Sequence, residues 1–159
     1  MLRCPQATGM STPLARVPVG IVIERRKTKS PWIDHVWQPI VALPGLPEAA
    51  PWSVLGSDSE ATRFYGGGAE VELFRSDVPR YVENLSSGAP SLWVVLRSSG
   101  AEPPYQIVAV VANPNEGEAF TETGADLVEA VPMPMFVREM IAAFVAEHPV
   151  EETLQKRKP

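Results

Sequence analysis

Two stretches near the start of the chain have apolar and polar positions arranged as in β-strands. Residues 16–28 alternate with the two-residue period of a strand that buries one face. Residues 32–45 are rich in aromatic and β-branched side chains, and the polar segment 27–30 lies between the two stretches. The pattern predicts an antiparallel hairpin, and Pro39 indicates that the second strand is an edge strand or contains a bulge. The alternating apolar residues of the first strand are Val17, Val19, Ile21 and Ile23.

The later part of the chain contains further strand patterns. Residues 91–99 and 105–113 are nearly continuous apolar runs, which are typical of strands buried on both faces. Residues 125–133 are predicted to form the last strand. Between residues 61 and 75, Gly66–Gly68 separate two short apolar stretches, which predicts a hairpin with glycine at its tip.

Helical periodicity is clearest in residues 134–148, where a proline suits the first turn. Shorter helical segments are predicted over residues 76–88 and 113–124, although Gly117 weakens the second of these predictions. One ridge of the C-terminal helix repeats at every fourth residue, and it consists of Phe136, Met140 and Phe144.

Strands that follow one another through short connections are expected to pair antiparallel. The sequence therefore predicts an α+β fold: a mainly antiparallel bent sheet, or a partly open barrel, of six to seven strands with a C-terminal amphipathic helix. A two-layer sandwich is the alternative. We expect a single globular domain over residues 14–149, a disordered leader over residues 1–13 and a charged tail over residues 150–159.

Charge and composition argue against several classes of protein. The 14 basic and 19 acidic residues give a net charge of −5, which argues against nucleic-acid binding because such proteins carry a basic face. No apolar segment reaches the roughly 18 residues that span a membrane, and the N-terminal residues lack the apolar stretch of a secretory signal. We therefore expect a cytoplasmic protein without membrane insertion. With one cysteine and two histidines, neither a metal site nor a cofactor is expected.

The chain contains no evident catalytic set. Asp34 and His35 are adjacent in the predicted second strand, where neighbouring side chains point to opposite faces, so they cannot act as a base and its orienting carboxylate. The glycines Gly66–Gly68 lack the following lysine and serine or threonine of a phosphate-binding loop. The sequence thus favours a protein that is not an enzyme, without excluding one.

Three sets of residues are candidates for binding. Glu118 and Glu122 belong to an acidic segment that could dock a basic protein. Arg25, Trp32 and His35 would line the mouth of a barrel and could bind a small ligand. The third set is apolar and methionine-rich, which suits an adaptable protein contact. It consists of Met133, Met135, Phe136, Met140 and Phe144.

Several motifs resemble one known family over nearly the whole chain from about Arg16 onward. They are "VPVGIVIERR" at 17–26, the pattern W-x4-W-x-P at 32–39, and "VPMP" at 131–134, before the last helix. The family is an uncharacterised bacterial one whose genes typically lie beside those of molybdenum-dependent formate dehydrogenases and their maturation proteins. The resemblance implies a non-catalytic accessory or assembly partner that binds a formate dehydrogenase subunit or a maturation protein. The alternative is a small-ligand-binding barrel or weak enzyme, including one of molybdenum-cofactor maturation.

Overall fold

A computed structural model of the chain describes residues 12–45 and 48–149. The predicted charged tail and all but the last two residues of the predicted leader lie outside these ranges. The described residues form seven strands and three α-helices, and Arg75–Asp77 form a 3-10 turn before the first helix. The strands are β1 (Ala15–Lys27), β2 (His35–Pro44), β3 (Ser53–Ser57), β4 (Ala61–Leu73), β5 (Ser91–Ser98), β6 (Tyr105–Val111) and β7 (Asp126–Pro132); the helices are α1 (Val78–Leu85), α2 (Pro114–Thr121) and α3 (Met135–Glu147).

The strands form two antiparallel sheets. The first has the order β2-β1-β4-β3 and the second the order β6-β5-β7. β4 approaches β6, and β2 approaches β7, so the sheets adjoin along two sides without closing into a barrel. The predicted α+β fold with an antiparallel bent sheet and a C-terminal helix is confirmed, and the sheets remain open.

The core lies between the two sheets and under two of the helices. Alternation along β1 places Val17 and Ile21 in the core, and the central strand β5 contributes Leu92. α1 and α3 pack on each other and add Tyr81 and Ile141 to the same cluster. Each fully buried aliphatic side chain contributes about 1.5–3 kcal/mol relative to an exposed one, so these helices are part of the folded core rather than appendages.

One buried polar side chain connects α1 to the second sheet. Asn84 is buried, and its Nδ2 donates hydrogen bonds to the carbonyl oxygens of Ser91 at 2.8 Å and Ala112 at 3.0 Å. Its Oδ1 accepts a hydrogen bond from the Ser91 N–H at 3.0 Å. Because a buried amide is costly unless hydrogen-bonded, these bonds fix the end of α1 against the start of β5.

The predicted hairpin of β1 and β2 forms, but β2 begins at His35 rather than at Trp32. The intervening loop satisfies its own backbone groups: the Ser30 N–H donates to Thr28 Oγ1, and the Trp32 N–H donates to Ser30 Oγ. A backbone N–H held by a hydroxyl in this way does not join the ladder. Trp32 therefore lies in the loop and is 87% exposed, and its predicted place in the second strand is wrong.

The predicted hairpin with Gly66–Gly68 at its tip is also wrong, because these glycines lie inside the single long strand β4. Ile21 pairs with Gly67 and Val22 pairs with Tyr65, so Gly66 is the extra residue of a β-bulge. A Cβ at Gly66 would clash with Cδ1 of Ile23 and would lie 2.9 Å from its Cγ1. Glycine is required here by close packing against β1 and not by a turn.

Candidate functional site

α3 is apolar around most of its circumference, although only one side faces the core. Ten of its 13 residues are apolar, and the charged exceptions are Arg138, Glu139 and Glu147. The inward side consists of Val137, Ile141 and Phe144, which are buried. A helix that is apolar on all sides is normally covered on all sides, so the outward side of α3 is a candidate contact surface.

The large apolar residues exposed on this outward side, here termed the α3 outer face, are Met135, Phe136 and Met140, and Glu139 is exposed beside them. The three apolar residues are 60%, 47% and 40% exposed. Two other residues of the predicted partner-binding set do not share this surface: Met133 and Phe144 are buried in the core. The ring of Phe144 contacts Tyr81 and His148 there. The structure thus brings together three of the five predicted apolar residues.

The acidic residues predicted for partner binding lie on and just beyond α2. The helix begins after Asn113, whose Oδ1 accepts a hydrogen bond from the Asn115 N–H at 2.8 Å. Glu118 is exposed within the helix, and Glu122 is exposed at its C-cap. Neither lines a cavity described in the structure, whereas Glu116 of the same helix does.

Glu116 lines a groove between β4 and β6, here termed the acidic groove. Its cavity has a volume of about 210 Å³. One wall carries residues from alternate positions at the end of β4 and just after it, namely Glu70, Glu72 and Phe74. The other wall is residues 108–111 of β6. Residues distant in the sequence, from β4 and α2, therefore place three carboxylates around one opening.

The carboxylates of the acidic groove outnumber the one cation paired with them. Arg16 of β1 is shared between two of its carboxylates, with Nε 3.6 Å from Glu70 Oε1 and 3.6 Å from Glu72 Oε2. Partial burial raises the pKa of Glu116, and the neighbouring carboxylates of Asp77 and Glu72 raise this pKa further. The groove would therefore favour a cationic group.

Both strands beside the acidic groove have an edge without a ladder partner in the described chain. β6 is the terminal strand of its sheet and pairs only with β5. β4 pairs with β1 along its whole length, but β3 covers its other side only as far as Tyr65. Residues 66–73 of β4 therefore have an outer edge that is not in a ladder.

Arg25 belongs to a separate cluster where β1 ends and β2, β4 and β6 begin. Its guanidinium carbon lies 5.6 Å from the ring centroid of Trp37 and 5.3 Å from that of Phe64. Those two rings stack at 5.8 Å, and Trp52 and Tyr105 pack beside them. Within the described ranges, this guanidinium has no carboxylate partner.

The other predicted ligand-binding residues lie beside this cluster and not within it. Trp32 is in the exposed loop, and His35 is the first residue of β2, paired with Lys27. Neither has a ring contact with the cluster among the residues described. The aromatic rings fill the space next to Arg25, so a ligand would have to meet its guanidinium from the solvent side.

In the part of the chain that the structure describes, no group of three or more histidine, cysteine, aspartate or glutamate residues is placed to hold a metal ion. Across residues 12–45 and 48–149, no helix has the length and apolar character needed to cross a bilayer.

Sequence reasoning missed the carboxylates of the acidic groove. Glu70 and Glu72 alternate with core residues of β4. This alternation indicates that the two side chains are exposed, but it does not indicate a groove. Glu116 lies in the same acidic segment as Glu118 and Glu122, and the sequence alone does not distinguish it from them. The alternation of Glu70 and Glu72 on one strand face was the available signal, since it places two carboxylates side by side.

Comparisons with known proteins give one match. The family model described as "Protein of unknown function (DUF3305)" matches residues 18–158. Neither the curated proteins nor the solved structures include a significant match.

Proposed function

The chain belongs to the DUF3305 family of proteins of unknown function, and we propose that it is a non-catalytic accessory protein that binds another protein through the α3 outer face. The observation that carries this proposal is the exposure of Met135, Phe136 and Met140 on a helix whose other side is fully part of the core. The α3 outer face would lie in an apolar groove of the partner, as amphipathic helices do in many complexes.

The chemistry of these three side chains supports a protein contact. Methionine side chains are flexible and polarisable, so they adapt to irregular apolar surfaces. Single exposed apolar residues are ordinary on protein surfaces, but neighbouring ones on one helix face are typical of interaction sites. The fold also holds this face rigidly, because Val137 and Ile141 anchor the helix in the core.

The first partner to test is a molybdenum-dependent formate dehydrogenase subunit or a protein of its maturation. This choice rests on the resemblance of the sequence motifs at 17–26 and 131–134 to a family encoded beside those enzymes. The structure contributes the surface, and the resemblance contributes the candidate partner.

The test is direct binding between purified proteins, measured by biolayer interferometry against each formate dehydrogenase subunit and each maturation protein. Phe136→Glu and Met140→Glu should each weaken binding by about tenfold or more, because charge in an apolar contact costs about 1–2 kcal/mol or more. Val54→Glu is the matched control, since Val54 is 61% exposed on β3. Circular dichroism would establish that all variants fold. Equal binding of all three variants, or no binding to any of these proteins, would contradict the proposal.

A second candidate function is the binding of a small anion at Arg25, because its guanidinium is held on two rings without a carboxylate partner in the described residues. Calorimetric titration with molybdate, formate and guanosine triphosphate would test it, the last probe addressing a role in cofactor maturation. Arg25→Gln should abolish binding, whereas Arg26→Gln should retain it, because Arg26 is exposed and paired with Glu24. No heat with any of the three probes would argue against this function.

A further inference from the structure

We propose that, in the free protein, a second copy of this chain covers Phe136 and Met140, and that the α3 helices of the two copies lie antiparallel in this contact. The proposal rests on the proposed function, since it names what occupies part of the α3 outer face before another protein binds there. The two copies would have to separate for that binding. Self-association is measured with this chain alone, so the two proposals can fail separately.

Exposed residues form one line along α3, because spacings of four, three and four residues return to the same side of a helix. The line consists of Phe136, Met140, Ala143 and Glu147, all of them exposed. Ala142 is also exposed, but it lies about 100° from Ala143 and about 160° from Met140 around the helix axis. A second helix that packs along the line would therefore contact Ala143 and leave Ala142 in water.

The large residues of this line occupy its N-terminal half, and a small residue follows them. An antiparallel pair places the N-terminal half of each helix against the C-terminal half of the other. Met140 of one copy would then lie against Ala143 of the second copy, and the two-fold axis would repeat the contact. A large side chain opposite a small one allows the two surfaces to interdigitate. A parallel pair would instead place Met140 against Met140 and leave a gap between the alanines.

The charges on the same side of α3 favour the same orientation. Glu147 lies at the C-terminal end of the helix, where the helix dipole disfavours a carboxylate. The first turn of α3 contains no acidic residue, and Pro134 at its N-cap provides no side-chain hydrogen bond. In the antiparallel pair, Glu147 of each copy would lie beside the N-terminus of the other α3, where a carboxylate is favourable. Glu139 lies about 100° from Met140, at the border of the contact, so its charge stays in water.

The size of this contact predicts that the two copies exchange. α3 has 13 residues, so it is about 20 Å long. Stable interfaces bury about 800 Å² of each partner, and one side of a helix of this length supplies roughly half of that area. We therefore expect a weak pair with a dissociation constant of about 10–500 µM. Such a pair covers the apolar side chains and still releases them to another protein.

The test is sedimentation equilibrium of the purified protein over about 10 µM to 1 mM, the range that a weak pair requires. The variants are Ala143→Glu and, as the matched control, Ala142→Glu. Both place the same charge at an exposed alanine of α3, so they change the net charge and the helix propensity equally. Only Ala143 lies on the line that the second copy would cover. Circular dichroism would establish that both variants fold.

We expect the mean mass of the unaltered chain to rise toward that of a dimer with concentration. Ala143→Glu should raise the dissociation constant by at least about tenfold, and Ala142→Glu by less than about twofold, because only the first places a charge inside an apolar contact. Equal effects of the two variants, or the mass of a monomer throughout the range, would overturn the proposal.

Disulfide trapping tests the antiparallel orientation. Cys4 is the one cysteine of the chain and is replaced by serine, after which Met140→Cys and Ala143→Cys are made in separate proteins, one of them tagged. A disulfide needs the two Cβ atoms about 4 Å apart, so mild oxidation of the mixture should give the mixed disulfide above its statistical proportion. A mixed disulfide at or below that proportion would contradict this orientation and overturn the proposal.

The outcomes also separate this proposal from the proposed function. A chain that stays monomeric but binds one of the formate dehydrogenase or maturation proteins would overturn the self-association and leave the proposed function standing. A chain that pairs with itself as expected but binds none of those proteins would support the self-association and contradict the proposed function.

Discussion

Replacing Gly117 by alanine should destabilise the protein, although the same change stabilises most helices. Gly117 lies in the middle of α2 and is buried. A Cβ added there would lie 2.5 Å from Cγ and 2.8 Å from Cβ of Trp93 on β5. The glycine is therefore a point of close contact between α2 and the second sheet.

Two opposing terms decide the magnitude. Glycine to alanine in a helix gains about 1 kcal/mol through helix propensity. Forcing an extra methyl into a packed contact costs about 1–3 kcal/mol. Rotation of the Trp93 side chain could move its Cγ, but its Cβ is fixed to the β5 backbone, so the contact cannot be relieved by rotation alone. The packing cost should therefore lie in the upper part of that range, at about 2–3 kcal/mol, and subtracting the gain of about 1 kcal/mol leaves a net loss of about 1–2 kcal/mol.

The assay is chemical denaturation followed by circular dichroism, with a thermal melt in which the midpoint should fall by about 2–8 °C. Ala119→Gly changes an exposed residue of the same helix. It should lower the free energy of unfolding by about 1 kcal/mol, which would confirm that helix propensity contributes to stability in α2. In a Trp93→Ala background the cost of Gly117→Ala should be smaller but should not disappear, because the contact with Cγ is removed while the contact with Cβ remains. A Gly117→Ala variant that is as stable as the parent, or equally destabilised in both backgrounds, would refute this reasoning.

Two further predictions concern the buried amide of Asn84 and the partly desolvated carboxyl of Glu116. Asn84→Leu should lower the free energy of unfolding by about 2 kcal/mol or more in a denaturant titration, because the Ser91 N–H and two backbone carbonyls lose their partner. Glu116→Gln should stabilise the protein at neutral pH. Partial burial and the carboxylates of Asp77 and Glu72 raise the pKa of Glu116 in the folded state. The folded protein therefore loses stability as the pH rises from the ordinary glutamate pKa through this raised pKa. Thermal melts across that range should show the advantage of the variant vanishing below the ordinary glutamate pKa.

The strands could be predicted from the sequence because burial of one or both faces imposes a pattern on neighbouring residues. At Pro39 the rule that confines proline to edge strands and bulges predicted the structure correctly. Proline cannot donate to a ladder, and β2 is an edge strand of its sheet. Pro39 pairs with Ile23 and Val41 with Val22, so Ile40 is the extra residue of a bulge. Both alternatives that the sequence offered for this proline are therefore realised.

The glycines at 66–68 could not be assigned from the sequence, because two different structures require the same residue type. A tight turn needs positive φ, and a bulge packed against a neighbouring strand needs the absence of a Cβ. Gly67 has φ of 116°, and a Cβ at Gly66 would meet Ile23. The neighbour that decides between the two structures is β1, some forty positions away in the sequence.

The orientation of α3 was undetermined for a related reason. Periodicity selected the ridge of Phe136, Met140 and Phe144, but the buried side contains Val137 and Ile141 with Phe144. When most positions of a helix are apolar, the period alone does not say which side meets the core. The packing against α1 and β1 makes that choice, and it leaves Met140 exposed as a candidate contact.

The acidic surface shows why closeness in the sequence is a poor guide to a shared site. Glu118 and Glu122 are one helical turn apart in the sequence, yet neither lines the groove. Glu70 and Glu72 meet Glu116 only because β4 and β6 adjoin and α2 follows β6 directly. The sequence could therefore predict an acidic surface for a basic partner, but only the arrangement of the two sheets determines which carboxylates act together.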